Sequence, residues 1–423
     1  MKANYPTKQI HRKTGIGCGV KTRFRRQLRA SRWDGEKFVP GELLWESAPS
    51  SNLVLDQGLQ GMAKNTAGSI DTYPANSFLA CRIGSGTNPV KIASGAVTFT
   101  QSGTTVTASS GFFTSAMVGG IFKYGTDTTG AEYYIASFTD STHVEVATSA
   151  TVGSPTVATV WMVQQTALQT LLYTSNTYQT GGGDCGTTIV NNVVTHKRTF
   201  TFAPQVASYN VNEIGWYKAT SGTNVYGRTV LTATDVVAPT NFYVVIMELI
   251  ITYTPATPSA VSNIGTNFDT AGTAAIEALT NDAIRLVASN GTVSGSTGQG
   301  VLDGSSTNNT SIGASLMIIG ATWTQNANPA GTAPTLTPVT NGNFAFIQNA
   351  AYAGGSGFPF SFNLTGTYSP TTDGDTIHGI GLGRATPTVL FTIKLTTPVA
   401  SPVGAFQFTV TWRVTYSRTL DNA

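Results

Sequence analysis

Short runs rich in Val, Ile, Thr, Phe, Tyr and Trp recur along this chain roughly every ten residues, and Gly, Ser, Asn, Asp or Pro fill nearly every gap. IFKYG (121–125), AEYYIASF (131–138), THVEVATS (142–149) and TVATVWMV (156–163) show the rhythm most regularly. KRTFTFAP (197–204), NEIGWYKA (212–219), YGRTVLTA (226–233) and FYVVIMELIITYTP (242–255) continue it. Residues of these types fit a pleated, half-buried surface, and helical spacing of apolar residues is confined to two stretches. These are a short helix over 55–64 and a second candidate over 269–289. The expected class is all-β: tandem β-sandwich (jelly-roll-like) domains, a small inserted β-sandwich or barrel, and an extended N-terminal arm.

Four segments follow. Residues 1–50 form the arm. Residues 51–95 plus 164–255 form a first β-sandwich domain, interrupted by a small β domain at 96–163. Residues 256–423 form a second β-sandwich domain. AVTFTQSGTTVTAS (96–109) alternates about Ser-Gly-Thr like a hairpin, and WDGEKF (33–38) carries an Asp-Gly hairpin step. The second domain reads as a duplication of the first. FSF (360–362) matches FTF (200–202), and HGIGLGR (378–384) matches NEIGWYK (212–218). FTIKLTTPVASP (391–402) matches RTVLTATDVVAP (228–239), and AFQFTVTWRVTYS (405–417) matches NFYVVIMELIITYT (241–254).

Charge is scarce and lopsided. Asp, Glu, Lys and Arg make up 11% of the chain, against about 25% in ordinary soluble domains. Residues 1–50 hold 11 Lys and Arg against 4 Asp and Glu, a net +7, and the remainder holds 13 against 17, a net −4. Charge normally resists self-association, so a surface this poor in it suits a subunit whose flanks are covered by neighbours. The arm concentrates Arg23, Phe24, Arg25, Arg26, Arg29, Arg32 and Trp33. Such a segment can hold nucleic-acid phosphates, trail as a solvated tail, or dock on an acidic face and order there. The apolar Phe24 and Leu28 among the cations favour docking, on another protein or another copy of the chain.

Chemistry-bearing patterns are missing. His11, His143, His196 and His378 have no second ligand at metal spacing. GIGCG (15–19) and GIGLG (379–383) lack the following helix that a phosphate loop needs. TTDGDT (371–376) lacks the later acidic ligands of a calcium loop. Glu213, Glu248, Asp235 and Asp282 are isolated carboxylates, and no nucleophile elbow is present. Trp161, Trp216, Trp323 and Trp412 fall on strand patterns, where core packing is their natural role. Cys18, Cys81 and Cys185 are odd in number and widely spaced, which fits a reducing compartment. No catalytic, cofactor or metal site is expected. The N-terminus carries no signal-peptide pattern, and FYVVIMELIITY (242–253) is too short to cross a bilayer.

The segment order resembles a family of tailed-bacteriophage virion proteins over roughly residues 33–255. The motifs are the W-D-G turn, NLVLDQGL (Asn52–Leu59), ACRIGSGTNP (Ala80–Pro89), KRTFTFAP and NEIGWYKATSGTNVYGRTVL (Asn212–Leu231). The stretch from Phe99 to Ser149 is similar to a small β module of phage tail and fibre proteins. The resemblance implies a structural protein near the tail, neck, baseplate or collar, made in the host cytoplasm and built into the virion. Its partners would be other virion proteins and its own copies, with no membrane insertion and no nucleic-acid role. The alternative is a receptor- or glycan-binding fibre or head-decoration protein, which would meet a host surface glycan. A secreted β-rich adhesin or hydrolase is the third reading, and the missing signal and carboxylate pairs weigh against it.

Overall fold

The computed structural model describes residues 8–63, 65–66, 69–70, 79–125, 131–176, 186–190, 193–218, 224–255 and 420. It also describes strands at 315–319, 344–348, 360–368, 375–383, 389–401 and 406–418. The helix expected over 269–289, with Asp282, Trp323 and Cys185, lies outside the described residues, as do the side chains of His11, His378 and Trp412.

The chain opens with β1 (Lys8–Trp33), β2 (Phe38–Glu46), β3 (Ser50–Val54) and the helix α1 (Asp56–Ala63). Next come β4 (Asn65–Thr66), β5 (Ser69–Ile70) and β6 (Ala80–Gly84). Then follow β7 (Lys91–Ala108), β8 (Ile121–Tyr124), β9 (Tyr133–Asp140) and β10 (His143–Trp161). β11 (Leu171–Ser175), β12 (Gly186–Val190), β13 (Val193–Phe202), β14 (Tyr209–Tyr217), β15 (Val225–Val237) and β16 (Asn241–Pro255) succeed them. The last are β17 (Ser315–Ile319), β18 (Phe344–Gln348), β19 (Phe360–Tyr368), β20 (Asp375–Gly383), β21 (Val389–Ser401) and β22 (Phe406–Arg418). The fold is predominantly β, as the alternating pattern requires, with α1 the sole α-helix among the described residues.

The main sheet runs β11-β6-β14-β15-β3-β1-β16-β13-β12. It curls until its ends approach: Ser175 Oγ on β11 donates to the Thr201 carbonyl on β13 at 2.9 Å. β16 is apolar almost continuously and buried from Phe242 to Met247, as a strand covered on both faces must be. Each such side chain taken out of water contributes about 1.5–3 kcal/mol.

The N-terminal segment is woven into this sheet. β1 pairs antiparallel with β16 from Ile16 to Ala30 along one edge. Its other edge meets β22 in parallel from Lys8 to Val20, then β3 at Thr22–Phe24, then β2 from Gln27 to Trp33. The segment read as an arm reaching outward therefore pairs with four strands of its own chain. The cause is visible in the register: Cys18, Val20, Thr22 and Phe24 alternate into the core, while Arg23 between them stays exposed.

β7–β10 form a separate sheet with a core of their own, including Phe99, Val106, Phe122, Ile135, Val144 and Val160. β10 pairs β9 with its first residues and β8 with its last, and β8 pairs β9, so the strands close into a ring. β7 doubles back about Gly103, whose φ of 63° is left-handed. There Ser109 N donates to the Thr98 carbonyl at 2.8 Å.

Two sets of strands repeat one register. Adding 166 to a β14 number and 164 to a β15 number carries Tyr209↔Val237 to Asp375↔Ser401, and Tyr217↔Val225 to Gly383↔Val389. Every intervening pair follows, and both ladders break at corresponding places: Val211/Glu213 with Ile377/Gly379, and Trp216/Tyr217 with Leu382/Gly383. β6 on β14 and β17 on β20 agree in the same way, Ile214↔Ile83 matching Ile380↔Ile318. β13 on β16 and β19 on β22 agree as well, Val193↔Thr252 matching Phe360↔Tyr416. These correspondences correct two sequence matches: Phe391 takes the place of Gly227, not of Arg228, and FSF at 360–362 takes the place of VVT at 193–195, not of FTF at 200–202. β1 lies between the final strands of both sets, β16 and β22.

Candidate functional site

The arm residues divide by position along β1. Phe24 is buried in the core, and Arg26 is largely covered, its Nη1 donating to Asp235 Oδ2 on β15 at 2.5 Å. Asp235 also accepts from the Tyr243 hydroxyl at 2.7 Å. Burial, with Asp235 beside it, pushes the Tyr243 phenol up. Arg25 pairs with Glu46 at 3.0 Å. Glu46 accepts from Gln27 Nε2 at 2.9 Å, and Gln27 Oε1 accepts from Arg29 Nε at 2.8 Å. Arg29 also donates to the Gly41 carbonyl at 3.2 Å. Arg25, Gln27, Arg29 and Glu46 thus tie β1 to β2 as a polar ladder. Arg23, Arg32 and Trp33 remain exposed.

Beyond that ladder the strands form a hairpin closed by the predicted Asp-Gly turn. Trp33 pairs with Phe38, and the Asp34 carboxylate accepts from the amides of Glu36 and Lys37 at 3.0 and 2.9 Å. Those backbone donors hold Asp34 below the usual carboxylate range. Trp33, Phe38, Leu43, Leu44 and Trp45 are 41–62% exposed, and they are five of the nine exposed large apolar side chains among the described residues. Sequence reasoning named Trp33 for docking and placed Phe38 only at the end of the WDGEKF hairpin; the signal for the other three was LLW (43–45) set between Glu42 and Glu46.

A second polar constellation sits where the inserted sheet joins the body. Glu213 on β14 and Arg228 on β15 are buried and paired at 2.7 Å. Glu213 accepts from the amides of Gly86 at 3.1 Å, Gln169 at 3.1 Å and Thr170 at 2.8 Å. Arg228 Nη1 donates to the Asn88 carbonyl at 3.0 Å and to Gln165 Oε1 at 2.6 Å. Residues 85–90 lead into the insert and residues 162–170 lead out, so this one pair grips both stems. The joint beneath is apolar: Ile121, Tyr134 and Trp161 of the insert share a core with Leu53, Leu55, Tyr217 and Val225 of the body. Glu213 was legible as an isolated carboxylate; its partner Arg228 was not.

The other candidates stay apart. Glu248 pairs with Lys197 at 4.0 Å across β13 and β16. His143 lies at an exposed turn, 3.1 Å from Asp140, which the Thr142 and His143 hydrogen bonds hold down to about 2. His196 is buried; burial, then the Arg198 charge, pushes it down to about 3. Trp161 and Trp216 are buried as expected. Cys18 and Cys81 are buried free thiols whose ionisation burial pushes up. Among the described residues no group of His, Cys, Asp or Glu is placed to hold a metal ion, and no helix is long and apolar enough to cross a membrane. Arg418 on β22 is ion-paired with Asp56 at the start of α1, joining the last strand to the front of the chain.

Comparison with known protein families, curated proteins and solved structures finds no match.

Proposed function

We propose that the chain is a structural subunit of a tailed-phage virion, associated with the tail, neck or baseplate, that docks on neighbouring subunits through its basic N-terminal segment. The observation that carries this reading is the β1–β2 hairpin, where the exposed aromatic and leucine side chains are concentrated on a chain otherwise poor in charge. Within the segment, the hairpin is the part left to reach a neighbour. Exposed apolar side chains grouped on one hairpin mark an interaction site. The same reading takes the two strand sets as copies of one duplicated, jelly-roll-like sandwich unit that share β1, with the closed β7–β10 sheet inserted in the first. Partners are other virion proteins and copies of the chain, and the protein is made in the host cytoplasm. Mass spectrometry of purified virions tests it: the chain is expected in intact particles at a stoichiometric level, and its absence from them overturns the proposal.

The second reading is a receptor- or glycan-binding fibre or head-decoration protein, with the insert as the projecting recognition domain. It is favoured by the insert's own closed sheet and core, and by the gripping of both its stems. Fab fragments against the insert, added to assembled particles, are then expected to block adsorption to host cells. Undiminished adsorption removes this reading.

A further inference from the structure

We infer that ordered water is part of the core inside the curl of the main sheet, held between the carboxamide of Asn52 and the hydroxyls of Thr22 and Thr229. This site is independent of the role proposed above.

Register brings the three side chains together. Thr22 on β1 stands opposite Asn52 on β3. β3 pairs with β15 as Val54↔Gly227 and Leu53↔Arg228, and the same antiparallel register sets Asn52 opposite Thr229. Directly opposed residues share a sheet face, with Cα atoms about 4.5–5.5 Å apart. All three therefore point into the core beside one another, and they are 2, 5 and 5% exposed. The row continues across β16 and β13 as Leu249 and His196, and across β14 and β6 as Ile214 and Ile83, all of them buried. Val20 and Phe24 on β1 and Val54 on β3 flank it and are buried too, so the row is closed to bulk solvent.

Asn52 is the residue that calls for a guest. Its Nδ2 and Oδ1 are both buried, and neither meets a hydrogen-bond partner among the described residues. The Thr22 hydroxyl donates instead to the Asn52 backbone carbonyl at 3.0 Å, which leaves its own oxygen to accept. A carboxamide buried with both ends unmet would lower the folding equilibrium on the order of ten- to a hundredfold. Buried polar groups escape that cost by pairing or by holding water. Water accepts from Nδ2 and donates to Oδ1 and to the Thr22 oxygen, so one kind of molecule answers both ends. The row holds no carboxylate and no arginine or lysine, and burial, then the Arg198 charge, keeps His196 neutral. An ion would lie there uncompensated, and an apolar guest would leave the carboxamide unmet. Water at this place ties β1, the strand shared by both sets, to β3 and β15 of the first.

A crystal structure of the full-length chain, at a resolution that reveals bound solvent, tests this. A fully occupied solvent peak is expected about 2.7–3.2 Å from an end of the Asn52 carboxamide and from a threonine hydroxyl; a core without one overturns the inference. Unfolding in denaturant gives a second reading. Asn52→Leu removes the carboxamide at similar volume. With water anchored there, the folding equilibrium constant is expected to fall about tenfold, because the two hydroxyls lose their shared partner. With an unmet carboxamide the constant would rise or hold, and either result overturns the inference. Thr229→Val combined with Asn52→Leu should cost less than the two single losses added together, as members of one hydrogen-bond network do; strictly additive losses overturn it as well. Should Asn52→Leu fail to fold, the solvent peak of the unaltered chain decides alone.

Discussion

β14–β15 and β20–β21 run on the same ladder, pair for pair and break for break, yet they carry different residues along it. Where the first holds Glu213 and Arg228, the second has Gly379 and Thr392. Where the first opposes Trp216 with Gly227, the second opposes Leu382 with Phe391. The register therefore does not depend on the ion pair. What differs between the two settings is the insert, whose stems Glu213 and Arg228 grip in the first. A buried pair of this kind is costly to desolvate and is maintained by the groups it satisfies. Here those groups are the backbone amides and carbonyl of the stems.

The sharpest way to break the comparison is Arg228→Met. It leaves the Glu213 carboxylate buried without its cation and should cost about 3–5 kcal/mol in denaturant unfolding. Thr392→Met, at the corresponding place in the second set, should cost far less. Limited proteolysis sharpens the point: faster cleavage within 85–90 and 162–170 is expected for Arg228→Met, and equal cleavage of both variants would remove the stem-grip account. Next is Gly227→Ala. A Cβ there would stand 1.7 Å from Trp216 Nε1 and 2.5 Å from its Cδ1, so overpacking should cost about 1–3 kcal/mol or more. Trp216→Leu with Gly227→Phe installs the second set's pair and should recover much of the loss seen for Gly227→Phe alone. Failure of that rescue in a thermal melt would mean the two ladders do not share packing as they share register.

The smallest effect concerns pH. His196 on β13 corresponds in register to Asn363 on β19. Its folded-state pKa is lowered to about 3 from 6.5. Between those values the unfolded chain binds more protons, so this contribution is complete above pH 6.5 and is lost as pH falls toward 3, at up to about 1.4 kcal/mol per pH unit. His196→Asn should flatten that part of the profile. An unchanged difference in denaturant midpoint between pH 7 and pH 5 would assign the dependence to other groups.

Several elements were legible from local pattern alone. The alternation in 156–163 and 226–233 marked strands; apolar spacing marked the helix at 55–64, observed over Asp56–Ala63; Asp34-Gly35 marked a hairpin. Each depends on neighbours within a turn or two of chain. Partners across the sheet were not legible. Arg26 and Asp235 lie 209 residues apart, and nothing in either segment names the other. The parallel pairing of β1 with β22 joins the two ends of the chain. Five arginines within ten residues looked like an external arm, because sequence shows the charge and hides which cations lie against a carboxylate. Of the four matches, NEIGWYK with HGIGLGR falls on the observed register; RTVLTATDVVAP with FTIKLTTPVASP is one residue out, since Arg228 corresponds to Thr392 and not to Phe391, and FTF with FSF is further out. FSF resembles FTF in composition, and only backbone pairing shows that Phe360 stands where Val193 does.

For this protein, sequence determined strand character, the turns and the uneven charge, because these follow from steric and solvation preferences acting over a few residues. Tertiary structure decided which strand lies beside which, that the basic segment is built into the sheet, and that Glu213 meets Arg228 at the stems. Backbone hydrogen bonds are chemically identical along every strand. The choice among partners therefore falls to packing and to burial of charge, which exist only once distant segments meet.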